Sequence, residues 1–292
     1  MTKPVFIHAG AHRTGTSSFQ QCLFTNMKVL GDLGFDLAYP GRDGVPKGRL
    51  RLRLPRPRHG RKRIPQFADW LRPHLEQFSP DPDRALILSE ENIPGPMRHF
   101  SDGKFFPASG KRLETLAEAL PGPPRHLIYV VRSYDQLYVS GYRKRAEDNP
   151  VPPFAELVPF YMQIDRGWPE LISDVVEFLR PQQVTVIPYE RRGSNVDLLR
   201  VLVPELAEAP LAEPETTLNL SATDAALEAL QARYRAGEEL TRKQWQGVIA
   251  EHAHDRAPRG VAAFPEADRN RLNDRYLVDL ARLSEMPDIR FI

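Results

Sequence analysis

The stretch Gly10-Ala-His-Arg-Thr-Gly15-Thr16-Ser17 follows a short apolar run, PVFIHA, and opens a segment of helical spacing. It nearly reproduces the phosphate-loop pattern G-x-x-x-x-G-K-[ST], with Thr16 where that pattern has lysine. A glycine loop between strand and helix is suited to holding an anion. Helix-start N–H groups have no intrahelical acceptor, and the helix dipole favours negative charge there. Gly10 and Gly15 permit positive φ and let the backbone close on the anion. The hydroxyls of Thr14, Thr16, Ser17 and Ser18 add donors, and Arg13 adds a fixed charge. The plainer reading is a Ser/Thr helix cap after a tight turn. Two glycines, four hydroxyls and an arginine packed this closely favour the anion site.

Two other places carry chemistry. The apolar run RHLIYVVRS ends with Arg132, and Ser140 lies eight residues on, inside the next helical segment. An arginine with a hydroxyl makes a second anion site; taken singly they read as a surface arginine and a helix serine. The run ILSEEN puts Glu90 and Glu91 at the end of another strand. Adjacent residues of an extended segment point opposite ways, so one carboxylate faces a ligand and the other does not. Solvated loop acids are the alternative.

The elements that must position these residues alternate. Apolar runs at 4–9, 84–89, 125–133 and 183–190 read as buried strands, and FDLAYP as a short one. Helical spacing covers 17–33, 64–78 with a break at Pro73, 110–120, 134–147, 154–163, 169–180 and 195–203. From Ala222 on the chain reads as helical, with a loop at RAPRGVAAFP and a last helix over 266–284. Strands apolar on both faces, alternating with helices, predict a three-layer α/β fold of the P-loop NTPase type, with a central parallel sheet and a helical C-terminal half. Ligands of such sheets bind at the carboxyl ends of the strands, where all the residues above lie.

Composition narrows the function classes. The 292 residues are 41% hydrophobic and 27% charged, with no apolar run long enough to span a membrane. One cysteine, Cys22, excludes a disulfide framework and a cysteine zinc site. A single domain over 1–292 in the cytoplasm is expected. The net charge of +2 hides an asymmetry: Arg42 to Arg63 holds ten Lys/Arg and one acid, Asp43, leaving the remainder near −7. This segment, 41–64, reads as a Pro-, Gly- and Arg-rich irregular insert: a local anion-binding rim or a solvated loop. Without interleaved aromatics it gives no support for nucleic-acid stacking.

Taken together these segments resemble the sulfotransferases that use 3′-phosphoadenosine-5′-phosphosulfate (PAPS), bacterial members included. Their P-K-[ST]-G-[ST]-[ST] loop is similar to His12-Arg-Thr-Gly-Thr-Ser-Ser18, with Arg13 in the lysine place. Their second signature, Arg, seven residues, then Ser, resembles Arg132 to Ser140. VIPYERR and RNRLNDRYLVDLARL also resemble family segments, while 195–260 resembles little. The resemblance implies PAPS as donor, PAP as product and no required metal. It implies Arg13, Thr14, Gly15, Thr16, Ser17 and Ser18 on the 5′-phosphosulfate and Arg132 and Ser140 on the 3′-phosphate. A Ser-Ser-Glu pattern of bacterial members puts Glu91 in the position of the base, with Glu90 or one of His8, His12, His59 and His99 as alternatives. The acceptor would be a hydroxyl on a carbohydrate, lipid or small molecule, and segment 42–63 would favour an anionic one.

PAPS has no γ-phosphate, so the lysine missing at Thr16 would have no target. Arg13 departs from the family. It supplies charge to a leaving oxygen but cannot give it a proton. Two rival readings follow: a small-molecule kinase or other P-loop nucleotide enzyme, and a non-catalytic binder of nucleotide or anionic glycan.

Overall fold

Residues 3–42, 44–215 and 222–292 are described by the structure, a computed structural model; Asp43, the one acid of the basic segment, lies outside them. Six strands form one all-parallel sheet: β1 (Val5–His8), β2 (Phe35–Ala38), β3 (Ala85–Ser89), β4 (His126–Val131), β5 (Val184–Pro188) and the short β6 (Arg290–Phe291). Their order is β2-β3-β1-β4-β5-β6. The chain winds from β1 toward β2 and β3, then crosses back to β4. The order therefore reverses between β1 and β4, where a crevice opens at the strands' carboxyl ends.

Both sheet faces are apolar, as a covered parallel sheet requires. Ile7, Leu88, Leu127 and Tyr129 face one core, with Leu71 of α3 (Ile64–Glu76), Leu113 and Leu116 of α4 (Ser109–Ala119) and Leu171 of the helix Trp168–Asp174. Phe6, Ile87, Ile128 and Val130 face a second core. There they meet Phe19 and Leu23 of α1 (Thr16–Thr25) and Leu199 of the helix Asn195–Leu202. This is the three-layer α/β, phosphate-loop-type architecture that the alternation of elements predicts. Among the described residues no helix is long and apolar enough to cross a membrane.

Several local expectations need correction. The helix expected over 17–33 is split into α1 and α2 (Met27–Asp32) at Asn26, whose side chain clasps a distant segment. Its amide donates to the Cys22 carbonyl at 2.9 Å and the Ala212 carbonyl at 2.8 Å, and its oxygen accepts from Ala212 N–H at 2.8 Å. Pro73 does not break α3, which runs through it to Glu76. So near the end of the helix the missing N–H costs one bond, and the ring stays in the last turn. After α5 (Tyr134–Ala146) and α6 (Phe154–Met162), α7 (Trp168–Asp174) widens into a π turn over Val175–Leu179, which Arg180 ends at φ 53°. Following α8 (Asn195–Leu202), the C-terminal part holds three helices, α9 (Asp224–Arg235), α10 (Arg242–Glu251) and α11 (Glu266–Ser284). Helix α10 and strand β6 were not expected as separate elements; α11 matches the expected span.

The basic segment is irregular, as its Pro and Gly content predicts, yet it is anchored. Val45, Leu50 and Leu54 are buried, and Leu50 N–H donates to the Tyr39 carbonyl at 2.9 Å. Lys111 donates to the carbonyls of Pro57 and His59 at 2.7 and 2.6 Å, and Arg112 to that of Pro55 at 2.9 Å. Outside the short turn Arg61–Arg63 it has no regular element among the described residues, and side-chain and isolated backbone hydrogen bonds hold it.

Candidate functional site

The loop between β1 and α1 continues the sheet before turning. Ala9 and Ala11 N–H donate to the carbonyls of Ile128 and Val130 at 3.1 Å, fixing the loop against β4. The left-handed residues are Arg13 (φ 65°) and Gly15 (φ 88°); Gly10 does not use the positive φ it permits. Gly10 is needed for closeness: a Cβ there would lie 2.9 Å from the His8 ring. Helix α1 has Gly15 at its N-cap with no side-chain cap, and its first intrahelical bond is Phe19 N–H to Gly15 O at 3.0 Å. This uncapped start puts the positive end of the helix dipole at the loop, the feature that suits an anion.

The four hydroxyls divide. Thr14 and Thr16 are buried, and both donate to the Ala11 carbonyl, at 2.6 and 3.4 Å. They brace the loop, and what they offer a ligand is backbone N–H. Ser17 and Ser18 are half-buried on the first turn.

Arg13, Arg132 and Ser140 come together across the β1/β4 crevice. Arg13 Nε donates to Ser140 Oγ at 2.8 Å. Arg132 Nη1 donates to the Arg13 carbonyl at 2.6 Å, and its guanidinium lies 4.7 Å over the Tyr189 ring. Trp168 Nε1–H holds the Arg132 carbonyl at 2.9 Å. Burial and the neighbouring Arg13 charge lower the Arg132 pKa, with Tyr189, Glu190 and Asp135 opposing. Two cations this close attract an anion between them.

The missed residue is Arg192, just after β5. Its guanidinium lies over Gly15, where a Cβ would stand 3.1 Å from Cζ. Sequence carried one signal for it: VIPYERR places it beyond a strand's carboxyl end.

The two glutamates lie past the end of β3, with Glu91 in a turn and not in the extended chain the sequence suggests, and their surroundings differ. Glu90 is buried, ion-paired with Arg42, and accepts from the Asn92 N–H at 2.7 Å and its amide at 3.1 Å. Glu91 lines a separate cleft of about 600 Å³ with His12, Tyr138, Gly141, Lys144 and Tyr161. That cleft touches both the loop, through His12, and Ser140's neighbour, Gly141.

Of the four histidines weighed as bases, His12 alone lines the Glu91 cleft. Its Nε2 meets Asn92 Oδ1 at 2.9 Å. The Asn92 amide donates to Glu90, so the oxygen faces His12 and Nε2 carries the proton. His8 is buried beneath the loop against Ser89 Oγ at 2.9 Å, and burial with the Arg192 charge lowers its pKa to about 3.

A second cleft of about 1240 Å³ adjoins the first, both being lined by Arg42, Asn92, Pro96 and Arg98. The basic segment walls it with Arg49, Arg51, Arg53, Arg56 and Arg58. Arg259 of the late RAPRG loop is instead bound by Asp224, Glu228 and Asp255. Among the described residues no group of three His, Cys, Asp or Glu is placed to hold a metal.

No protein-family model matches the chain. No curated protein matches it. Among solved structures it is similar to a sulfotransferase from Alicyclobacillus acidocaldarius, at 13% identity and TM-score 0.38, over 84% of this chain and 100% of that one. At that score the likeness is one of outline only, and the site stands on its own geometry.

Proposed function

We propose that the protein transfers a sulfuryl group from PAPS to a hydroxyl of a carbohydrate, lipid or small-molecule acceptor. One observation carries this reading. A phosphate-type loop that lacks the Walker lysine meets Arg132 and Ser140 at the sheet's switch point, making two anion subsites side by side. The cradle suits a nucleotide with phosphates in two places: a Cβ at Gly10 or Gly15 would crowd the His8 ring or the Arg192 guanidinium, and Arg13 and Arg132 flank the crevice.

In this reading the N–H groups of 14–18 hold the 5′ group, and Arg132 with Ser140 holds the 3′-phosphate. Arg13, bonded to Ser140, adds its charge beside them. The acceptor oxygen forms a bond to sulfur as the sulfur–oxygen bond to PAP breaks, and PAP keeps that electron pair. Glu91 takes the hydroxyl proton: both glutamates line clefts, but Glu91 lines the one that His12 of the loop also lines, whereas Glu90 is held by Arg42 and Asn92. The arginine-walled cleft beside it would receive an anionic part of the acceptor.

Calorimetric titration with PAP, ADP and ATP–Mg²⁺ tests the reading. PAP should bind at micromolar Kd or tighter and ADP much more weakly. Equal binding, or preference for ATP–Mg²⁺, would overturn it in favour of a kinase-like enzyme.

A further inference from the structure

We infer that Arg192 is the cation of the phosphate loop, gripping the 5′ anion, while Arg13 belongs with Arg132 and Ser140 to the 3′ side. The inference rests on the two-subsite nucleotide reading above and assigns its charges.

Arg192 reaches the loop from the far side of the crevice. It follows β5 and the short turn Tyr189–Arg191, ahead of α8, yet its guanidinium rests on Gly15, the N-cap of α1. A Cβ at Gly15 would stand 3.1 Å from Cζ and 3.2 Å from both terminal nitrogens. The planar fork therefore lies against the N-terminus of α1, where the helix dipole presents its positive end.

Little else in the protein accounts for this charge. Nη2 donates to Asn195 Oδ1 at 2.6 Å, and Nε is buried with no partner. Among the described residues no carboxylate pairs with Arg192. The nearby Glu213 is occupied by backbone, accepting from Asn195 N–H at 3.1 Å and Val196 N–H at 2.9 Å. Burying a guanidinium without a counter-charge is costly, and burial lowers its pKa despite Tyr189 and Glu213. An anion in the loop would supply the missing partner.

Arg13, by contrast, is turned away from that point. Its backbone is left-handed at φ 65°, and its side chain reaches α5 to donate to Ser140. Arg132 braces it from the same side through the Arg13 carbonyl. Residues of that backbone class are costly for non-glycine side chains and cluster at ligand clamps.

The test titrates the wild type, Arg192→Gln, Arg192→Lys and Arg132→Gln with PAP, 5′-AMP and 3′-AMP. Losing a charge-assisted contact should weaken binding about ten- to a hundredfold. Arg192→Gln should lose that much for PAP and 5′-AMP while 3′-AMP is unchanged, and Arg132→Gln should show the reverse. Arg192→Lys, which keeps the charge and not the fork, should fall between and decides the matter if the glutamine variant does not fold. An Arg192 variant that binds 5′-AMP as the wild type does, or that loses 3′-AMP equally, overturns the assignment. If wild-type PAP binds no tighter than 5′-AMP while Arg192→Gln still weakens 5′-AMP, the sulfotransferase reading fails and the role of Arg192 stands. A wild type that binds none of the three sinks both.

Discussion

Arg13 Nε lies 2.8 Å from Ser140 Oγ, across 127 positions of sequence. The contact ties the loop after β1 to the helix after β4, the two segments that flank the reversal in strand order. Parallel packing explains it: both strands end at the same edge, so whatever follows them meets there.

Arg132→Ala should therefore weaken PAP by roughly 1.5–3 kcal/mol, about ten- to a hundredfold, since a charged donor is lost. Ser140→Ala removes a neutral hydroxyl and should cost only about 0.5–1.5 kcal/mol. Calorimetry reads both. Undiminished PAP affinity in Arg132→Ala would refute the 3′ subsite.

The glutamate pair should separate chemistry from stability. Glu91→Gln should lose turnover by about a hundredfold or more, as for a removed general base, and keep its PAP affinity and melting temperature. Glu90→Gln should do the opposite. It weakens the ion pair to Arg42 and the turn at Asn92, costing about 1–3 kcal/mol of stability. Unchanged turnover in Glu91→Gln would remove it as the base and turn attention to His12.

The strands β1 to β5 were legible because buried parallel strands are short, apolar on both faces and punctuated by glycine or charge, whereas the two-residue edge strand β6 carries no such pattern. The loop at 10–18 was legible because its residue types are costly elsewhere. What sequence did not show depends on long-range partners. Asn26 splits a helix only because Ala212 arrives to meet it. The inward turn of Thr14 and Thr16 depends on where the Ala11 carbonyl points. Arg192 belongs to the site only because β5 lies beside β4, so its guanidinium can cross to Gly15. No local spacing encodes such a crossing.

Gly15→Ala makes two demands at once. The left-handed conformation costs a non-glycine residue roughly 1–2 kcal/mol. The methyl would also meet the Arg192 guanidinium at 3.1 Å and displace it. Stability measured by denaturant should fall by about that amount. PAP affinity should fall further than stability alone requires, even at temperatures where the variant is fully folded. A variant that is destabilised but binds PAP normally would mean that the Gly15 surface does not meet the ligand.

His8 gives the fold a pH limit of its own. The ring is buried under the loop, tilted against Phe19 with centroids 4.1 Å apart, with Nδ1 against Ser89 Oγ. Burial first, and the Arg192 charge second, lower its pKa from 6.5 to about 3. Between those values the unfolded chain binds a proton that the folded protein refuses. Stability is therefore unaffected by His8 above about pH 6.5 and falls as pH drops toward 3, by at most about 1.4 kcal/mol per unit. His126, also depressed mainly by burial, adds in the same direction. Urea midpoints taken from pH 7.5 to 4.5 should decline for the wild type. The decline should be shallower for His8→Asn, which keeps a hydrogen bond to Ser89 without a titrating ring. Parallel declines in the two proteins would show that His8 is not the group responsible.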